Sequence, residues 1–159
     1  DTGVRVSELC NLNVSDVDLD TLTVTIRQGK GRKDRSAYIG ARTARAVSRY
    51  LGARVDQTGN APLLLSEAPH NLDGRLSRWG VRAILQELGK AAGVPNVHAH
   101  KLRRTFAVTC LRAGMDVYTL ARLMGHSDIS TLRAYVAGIG DELQQAHGNV
   151  SPVDRMLKR

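Results

Sequence analysis

Along this chain of 159 residues, apolar positions recur first at helical spacing, then at strand spacing, then at helical spacing again. Val4 to Leu12 reads as a short helix offering Val6, Leu9 and Cys10 to one face. The rhythm changes in VDLDTLTVTIRQGKGRKDRSAYIG, where Leu22, Val24 and Ile26 alternate with Thr23, Thr25 and Arg27 as in a half-buried strand. Ser36 to Ile39 predicts a second strand, with Gln28 to Asp34 as the polar, glycine-bearing connection. A third strand over Val14 to Leu19 completes a small antiparallel sheet; about three strands are needed for one to hold together.

From Ala41 to about Val55 the spacing is helical again, with Ala44, Val47, Tyr50 and Leu51 on one side. Thr58 to Pro62 breaks it, Leu63 to Leu65 is a brief extended run expected to be buried, and His70 to Gly74 is loop-like. Ser77 is placed to cap a helix whose stripe is Trp79, Ile84, Leu85, Leu88 and Ala92, ending at Gly93 to Pro95. His100 to Ala113 is the next helix, with Leu102, Phe106, Cys110 and Ala113 in line and Gly114 as its stop. Asp116 caps a helix to Leu123, which Gly125 breaks. Ser127 or Asp128 then caps a helix carrying Tyr135, and Asp141 to His147 forms a last short one before the basic tail DRMLKR. The predicted class is α+β, mostly α-helical, with one small three-stranded antiparallel sheet and no internal repeat.

The length suits one domain with a real core. Lys and Arg number 23 against 15 acidic residues, a formal charge of +8, which points to a polyanionic partner, nucleic acid before membrane. The competing explanation is a merely basic protein. Cys10 and Cys110 lack metal-type spacing and sit in apolar stretches, so they are expected to be buried free thiols in a reducing cytoplasm. No run approaches the roughly 18 apolar residues of a membrane span, so no membrane association is expected.

Six side chains suit the chemistry of phosphoryl transfer to a phenol. They are Arg5, Lys30, His100, Arg103, His126 and Tyr135, in TGVRVSEL, GKGRKDR, HKLRR, LMGHSD and TLRAY. His100 and Arg103 share one face at i and i+3 of a helix start, where backbone N–H groups favour an anion. Lys30 stands between glycines at a hairpin tip, where an ammonium could protonate a leaving oxygen; Lys33 competes for that role. Arg5 has Glu8 one turn on as an orienting partner, and its planar fork suits a bidentate grip on phosphate oxygens. Tyr135 is the candidate nucleophile, its phenol needing a base or cations to activate it, with His126 nine residues before. Taken singly, each reads equally as a solvated basic face, a charged turn, a helix stop or a packing residue. His98 and His100 form no metal set, since no further Cys, His or carboxylate completes one, and neither metal nor cofactor is expected.

In their order and spacing these strings resemble the tyrosine recombinase (phage integrase) family, from Thr2-Gly3-Val4-Arg5 through Tyr135. The resemblance implies a catalytic domain over residues 1–159 with the family's catalytic-domain fold, without the N-terminal core-binding domain or the first catalytic-domain helix, and with 138–159 as a C-terminal tail. It implies that Arg5 and Arg103 clamp the scissile phosphate, Lys30 is general acid for the 5′ oxygen, and His100 assists proton transfer. His126 would bind the phosphoryl oxygens and Tyr135 would form a 3′-phosphotyrosine. Arg32, Lys33, Lys101 and Arg104 are candidate contacts to the DNA backbone. The implied partners are double-stranded DNA and further copies of the chain, in a tetrameric synapse joined through the tail. Two rivals share parts of this pattern: a type IB topoisomerase-like DNA-relaxing enzyme and a non-catalytic DNA-binding module.

Overall fold

The computed structural model describes residues 1–27, 34–55, 58–66 and 74–125. Helix α1 (Val6–Asn11) leads through a 3-10 turn at Val14–Asp16 into strands β1 (Val17–Asp18), β2 (Thr23–Ile26) and β3 (Arg35–Tyr38), followed by helices α2 (Ala41–Gly52), α3 (Arg78–Ala91), α4 (Ala99–Arg112) and α5 (Val117–Met124). The strands form one antiparallel sheet in the order β1-β2-β3, with Val24 opposite Val17 on one side and Ala37 on the other. The mostly helical α+β class with a three-stranded sheet is thus the observed one.

Alternation sets the sheet's inner face. Val24, Ile26 and Ala37 join Leu12, Ile39, Ala44 and Leu63 in one buried cluster, which α2 covers through Ala44 and half-buried Val47. A second cluster of Ala107, Leu120, Ala121 and Met124 joins α4 to α5, with Phe106 and Leu111 packed against it. Local signals start α3 and α5 as expected. Ser77 Oγ accepts from Gly80 N at 3.1 Å, and Asp116 Oδ1 accepts from Thr119 N at 2.9 Å.

Several expectations are corrected. The segment expected as strand Val14–Leu19 curls first, because Asp16 is buried: its Oδ2 accepts from Asn13 N at 2.8 Å and its Oδ1 from Arg27 Nε at 2.6 Å. Only Val17 and Asp18 pair in the sheet. In α3 the inward line is Val81, Leu85 and Gly89, while Trp79, Ile84 and Leu88 are exposed. The reason lies at Gly89, where a Cβ would come within 2.8 Å of Val97 Cγ2, so the helix turns its smallest side to that contact. In α4, Leu102 is exposed and the charged Arg103 is buried in its place beside Ala107. Leu65, expected to be buried, is also exposed, and Cys110 is half-buried.

Two outcomes follow from the packing. Leu120→Ala, at a site with no exposure, is expected to lower unfolding free energy by about 2–5 kcal/mol, measured by urea denaturation; a loss under about 1 kcal/mol would contradict this packing. Burial pushes the Cys10 thiol above its usual range, against the pull of Arg78 and Arg75, so thiolate is scarce at neutral pH. Its reaction with a disulfide reagent at pH 7 is expected to be far slower in native than in urea-unfolded protein, and equal rates would contradict this.

Candidate active site

The last carbonyls of an α-helix have no partner within it, and they carry the negative end of the helix dipole. At the end of α5, three consecutive carbonyls each accept from a different arginine. Leu123 O accepts from Arg35 Nη1 at 2.7 Å, Met124 O from Arg103 Nη2 at 2.8 Å, and Gly125 O from Arg5 Nη2 at 2.9 Å. These guanidiniums come from β3, from α4 and from the residue before α1. The sheet, helix α4 and the N-terminal segment therefore meet at one helix end.

Two glycines make this approach possible. Gly125 takes φ 64°, and a Cβ on it would lie 2.4 Å from Arg35 Nε. Gly3 takes φ 61°, and a Cβ on it would lie 2.2 Å from the Phe106 ring, so the segment before α1 lies directly against α4. There Gly3 O accepts a second hydrogen bond from Arg103, through Nη1.

One carboxylate serves two of the arginines. Glu8 Oε1 accepts from Arg5 Nη1 at 2.9 Å, while Oε2 accepts from Arg35 Nη2 and from the Arg5 backbone N–H, each at 2.7 Å. The four side chains carry three positive charges and one negative. Arg5 is the outward member, with its side chain 42% exposed against 10% for Arg35 and 12% for Glu8. Burial lowers the Arg35 pKa; Glu8 opposes that shift and Arg5 reinforces it. As a guanidinium, Arg35 remains charged at neutral pH. The arrangement can present planar cationic donors to an anion from a preformed frame.

His100 stands on the first turn of α4, one turn before Arg103, and is exposed. The helix begins one residue earlier than its sequence suggests, because His98 caps it by accepting from Lys101 N through Nδ1 at 3.3 Å. The two imidazoles lie nearly parallel, with ring centroids 6.5 Å apart. Both line a cleft of about 1110 Å³ between α3 and the start of α4, together with Val6, Arg78, Arg82 and Lys90.

Of the residues singled out from sequence, Arg5, Glu8 and Arg103 are brought together and His100 lies one turn from Arg103. Lys101 is exposed with Nζ donating to Pro95 O at 3.3 Å, and Arg104 is exposed on the same helix. Lys30, Arg32, Lys33, His126 and Tyr135 lie outside the described residues. Sequence reading passes over Arg35 and over the cleft cations Arg78, Arg82 and Lys90. Arg35 did leave a signal, since it alternates with Ala37 and Ile39, both buried. Arg78 and Arg82, at i and i+4, share one face of α3. Among the described residues, no group of three or more His, Cys, Asp or Glu could hold a metal, and no helix is long and apolar enough to cross a membrane.

The Phage integrase family matches residues 1–139, and the chain belongs to that family, the tyrosine recombinases. Its relatives include Tyrosine recombinase XerA of Thermococcus kodakarensis, 37% identical over 155 residues, covering 98% of this chain and 54% of the relative. Tyrosine recombinase XerC of Staphylococcus carnosus is 36% identical over 155 residues, covering 95% of this chain and 50% of the relative. A crystal structure of XerA recombinase superimposes with a TM-score of 0.79 at 34% identity, covering 95% of this chain and 54% of that one. The XerH site-specific recombinase bound to its difH substrate shares the fold, with a TM-score of 0.69 at 22% identity over 85% of this chain and 39% of that one. The chain spans about half the length of the curated relatives it matches.

The glycine at the helix end provides a test that needs no activity. Gly125→Ala puts a Cβ against Arg35 in a left-handed conformation and is expected to destabilise the protein by about 1–2 kcal/mol in thermal or urea unfolding. Gly52→Ala, at the end of α2 with open space around it, is expected to be neutral or stabilising by up to about 1 kcal/mol. Equal losses at the two positions would contradict the close contact at Gly125.

Proposed function

We propose that the protein is a site-specific DNA recombinase that breaks and rejoins strands through a tyrosyl phosphodiester. The observation that carries this reading is the convergence of the Arg5 and Arg103 guanidiniums on the adjacent carbonyls of Gly125 and Met124. Two arginines held this close, in a frame with three cations and one carboxylate, suit the nonbridging oxygens of one phosphodiester as it gains charge. Kinship with XerA and XerC tyrosine recombinases supports the same reading.

In this mechanism the Tyr135 oxygen attacks phosphorus and gives up its proton to His100 as the new P–O bond forms. The 5′ oxygen departs and takes a proton from Lys30. His100 assists proton transfer, and His126, next in sequence to Gly125, donates to a phosphoryl oxygen. The 5′-hydroxyl of a partner strand then attacks phosphorus, giving its proton back to Lys30, and the Tyr135 oxygen leaves and recovers its proton from His100, so the bond energy is conserved. Catalysis rests on positioning and on electrostatic stabilisation of the charge developing at phosphorus. The basic cleft beside His100, with Lys101, Arg104, Arg32 and Lys33, supplies contacts to the DNA backbone. In the whole protein, an N-terminal core-binding domain closes the other side of the duplex, and the tail from Gly138 to Arg159 joins protomers into the synaptic tetramer.

The test is covalent capture. Full-length protein incubated with a nicked suicide duplex containing its recombination site is expected to form an adduct that resists denaturant. Tyr135→Phe is expected to abolish it, and Arg5→Ala to slow it by about 10²–10³-fold. An adduct that survives Tyr135→Phe, or salt-dependent binding without any adduct, would overturn the reading.

A further inference from the structure

Arg35 has no part in the chemistry just proposed, yet it is the most enclosed arginine joined to Glu8. Its two terminal nitrogens reach different structures: Nη2 bonds Glu8 Oε2 and Nη1 bonds Leu123 O, each at 2.7 Å. Its Nε is buried against Gly125, with no hydrogen-bond partner among the described residues. Leaving a buried donor unmet is unfavourable. The side chain is therefore held by its two outer bonds and by close packing.

Both of those bonds act on the phosphate clamp. Glu8 is also the partner of Arg5, through Oε1 to Nη1 and through Oε2 to the backbone N–H. With Arg35 on Oε2, the carboxylate divides its charge between two guanidiniums, and less of it offsets the positive potential that Arg5 offers outward. Leu123 O is the first of the three carbonyls, so its bond to Arg35 fixes the last turn of α5. The next two carbonyls on that turn receive Arg103 and Arg5. Arg35 is also the first residue of β3 and pairs with Ile26, which anchors this arrangement to the sheet.

We infer that Arg35 is a positioning residue for phosphoryl transfer. It acts through Glu8 and the end of α5 to aim Arg5 and Arg103 and to limit how far Glu8 offsets the Arg5 charge on the side open to substrate. With its side chain only 10% exposed, it is placed to support the clamp rather than to touch DNA. The inference rests on the recombinase reading above.

A substrate without the relevant charge separates positioning from simple structural support. Replacing one nonbridging oxygen of the scissile phosphate by methyl removes the negative charge that the clamp stabilises. Full-length wild type, Arg35→Ala and Arg35→Lys are compared on nicked suicide duplexes bearing either phosphodiester or methylphosphonate at that position, after thermal melts establish which variants fold. Arg35→Ala is expected to cleave the phosphodiester ~10–100-fold more slowly than wild type, and the methylphosphonate within about 3-fold of it. Arg35→Lys keeps the charge but cannot span Glu8 and Leu123 O together; it is expected to show a smaller loss that shrinks in the same way, and it decides the matter if the alanine variant does not fold. A loss of equal size on both substrates, or no loss on the phosphodiester, would overturn the inference while leaving the recombinase reading intact. Failure of wild type to form an adduct with the phosphodiester would remove both.

Discussion

The structure depends on a satisfied helix end. Three successive carbonyls at the close of α5 lie beyond the reach of intrahelical donors, and three guanidiniums satisfy them. Hydrogen bonds to charged groups are worth about 1.5–3 kcal/mol each, so these three rank with the apolar packing of Leu120 and Met124 in joining α5 to the rest. They also act over long sequence distances. One bond fixes β3, another fixes α4, and the third fixes the segment that begins the chain.

The same bonds give the site its character. An arginine used only to hold a helix could be spread over any part of the fold, but these three must meet where the carbonyls end. Positive charge is concentrated by that geometry, and Glu8 is shared between Arg5 and Arg35. Arg5 is the most exposed side chain of the group, and Arg35 and Glu8 are enclosed behind it. Stability and the outward presentation of positive charge thus arise from a single arrangement. The exposed cations of α3 extend it along the cleft that His98 and His100 border.

Local punctuation was legible in the sequence because its physics is local. Ser77 and Asp116 cap their helices through hydrogen bonds within one turn, and Gly125 takes the left-handed conformation expected of a helix stop. The alternation of Val24 and Ile26 likewise marked a strand with one buried face. The packing faces of α3 and α4 were not legible, because apolar spacing cannot say which side meets a neighbour. At Gly89 the contact selected a small residue over Leu88, and at Arg103 two backbone carbonyls selected a charge over Leu102. Arg35 was missed for a related reason. In RKDR it reads as part of a solvated turn, and only the position of Leu123 and Glu8 in space makes it a buried bridge. Arg5, Glu8, His100 and Arg103 were singled out through motif order, which carries chemical information that periodicity does not.

The most direct measurement is a crystal structure of the full-length protein on a duplex containing its site, trapped before cleavage. Nonbridging oxygens of one scissile phosphate are expected within about 2.7–3.1 Å of both Arg5 and Arg103 guanidiniums, with Arg35 still joined to Glu8 and Leu123 O. A scissile phosphate seated elsewhere, with those two arginines bonded only to the carbonyls of α5, would contradict the account.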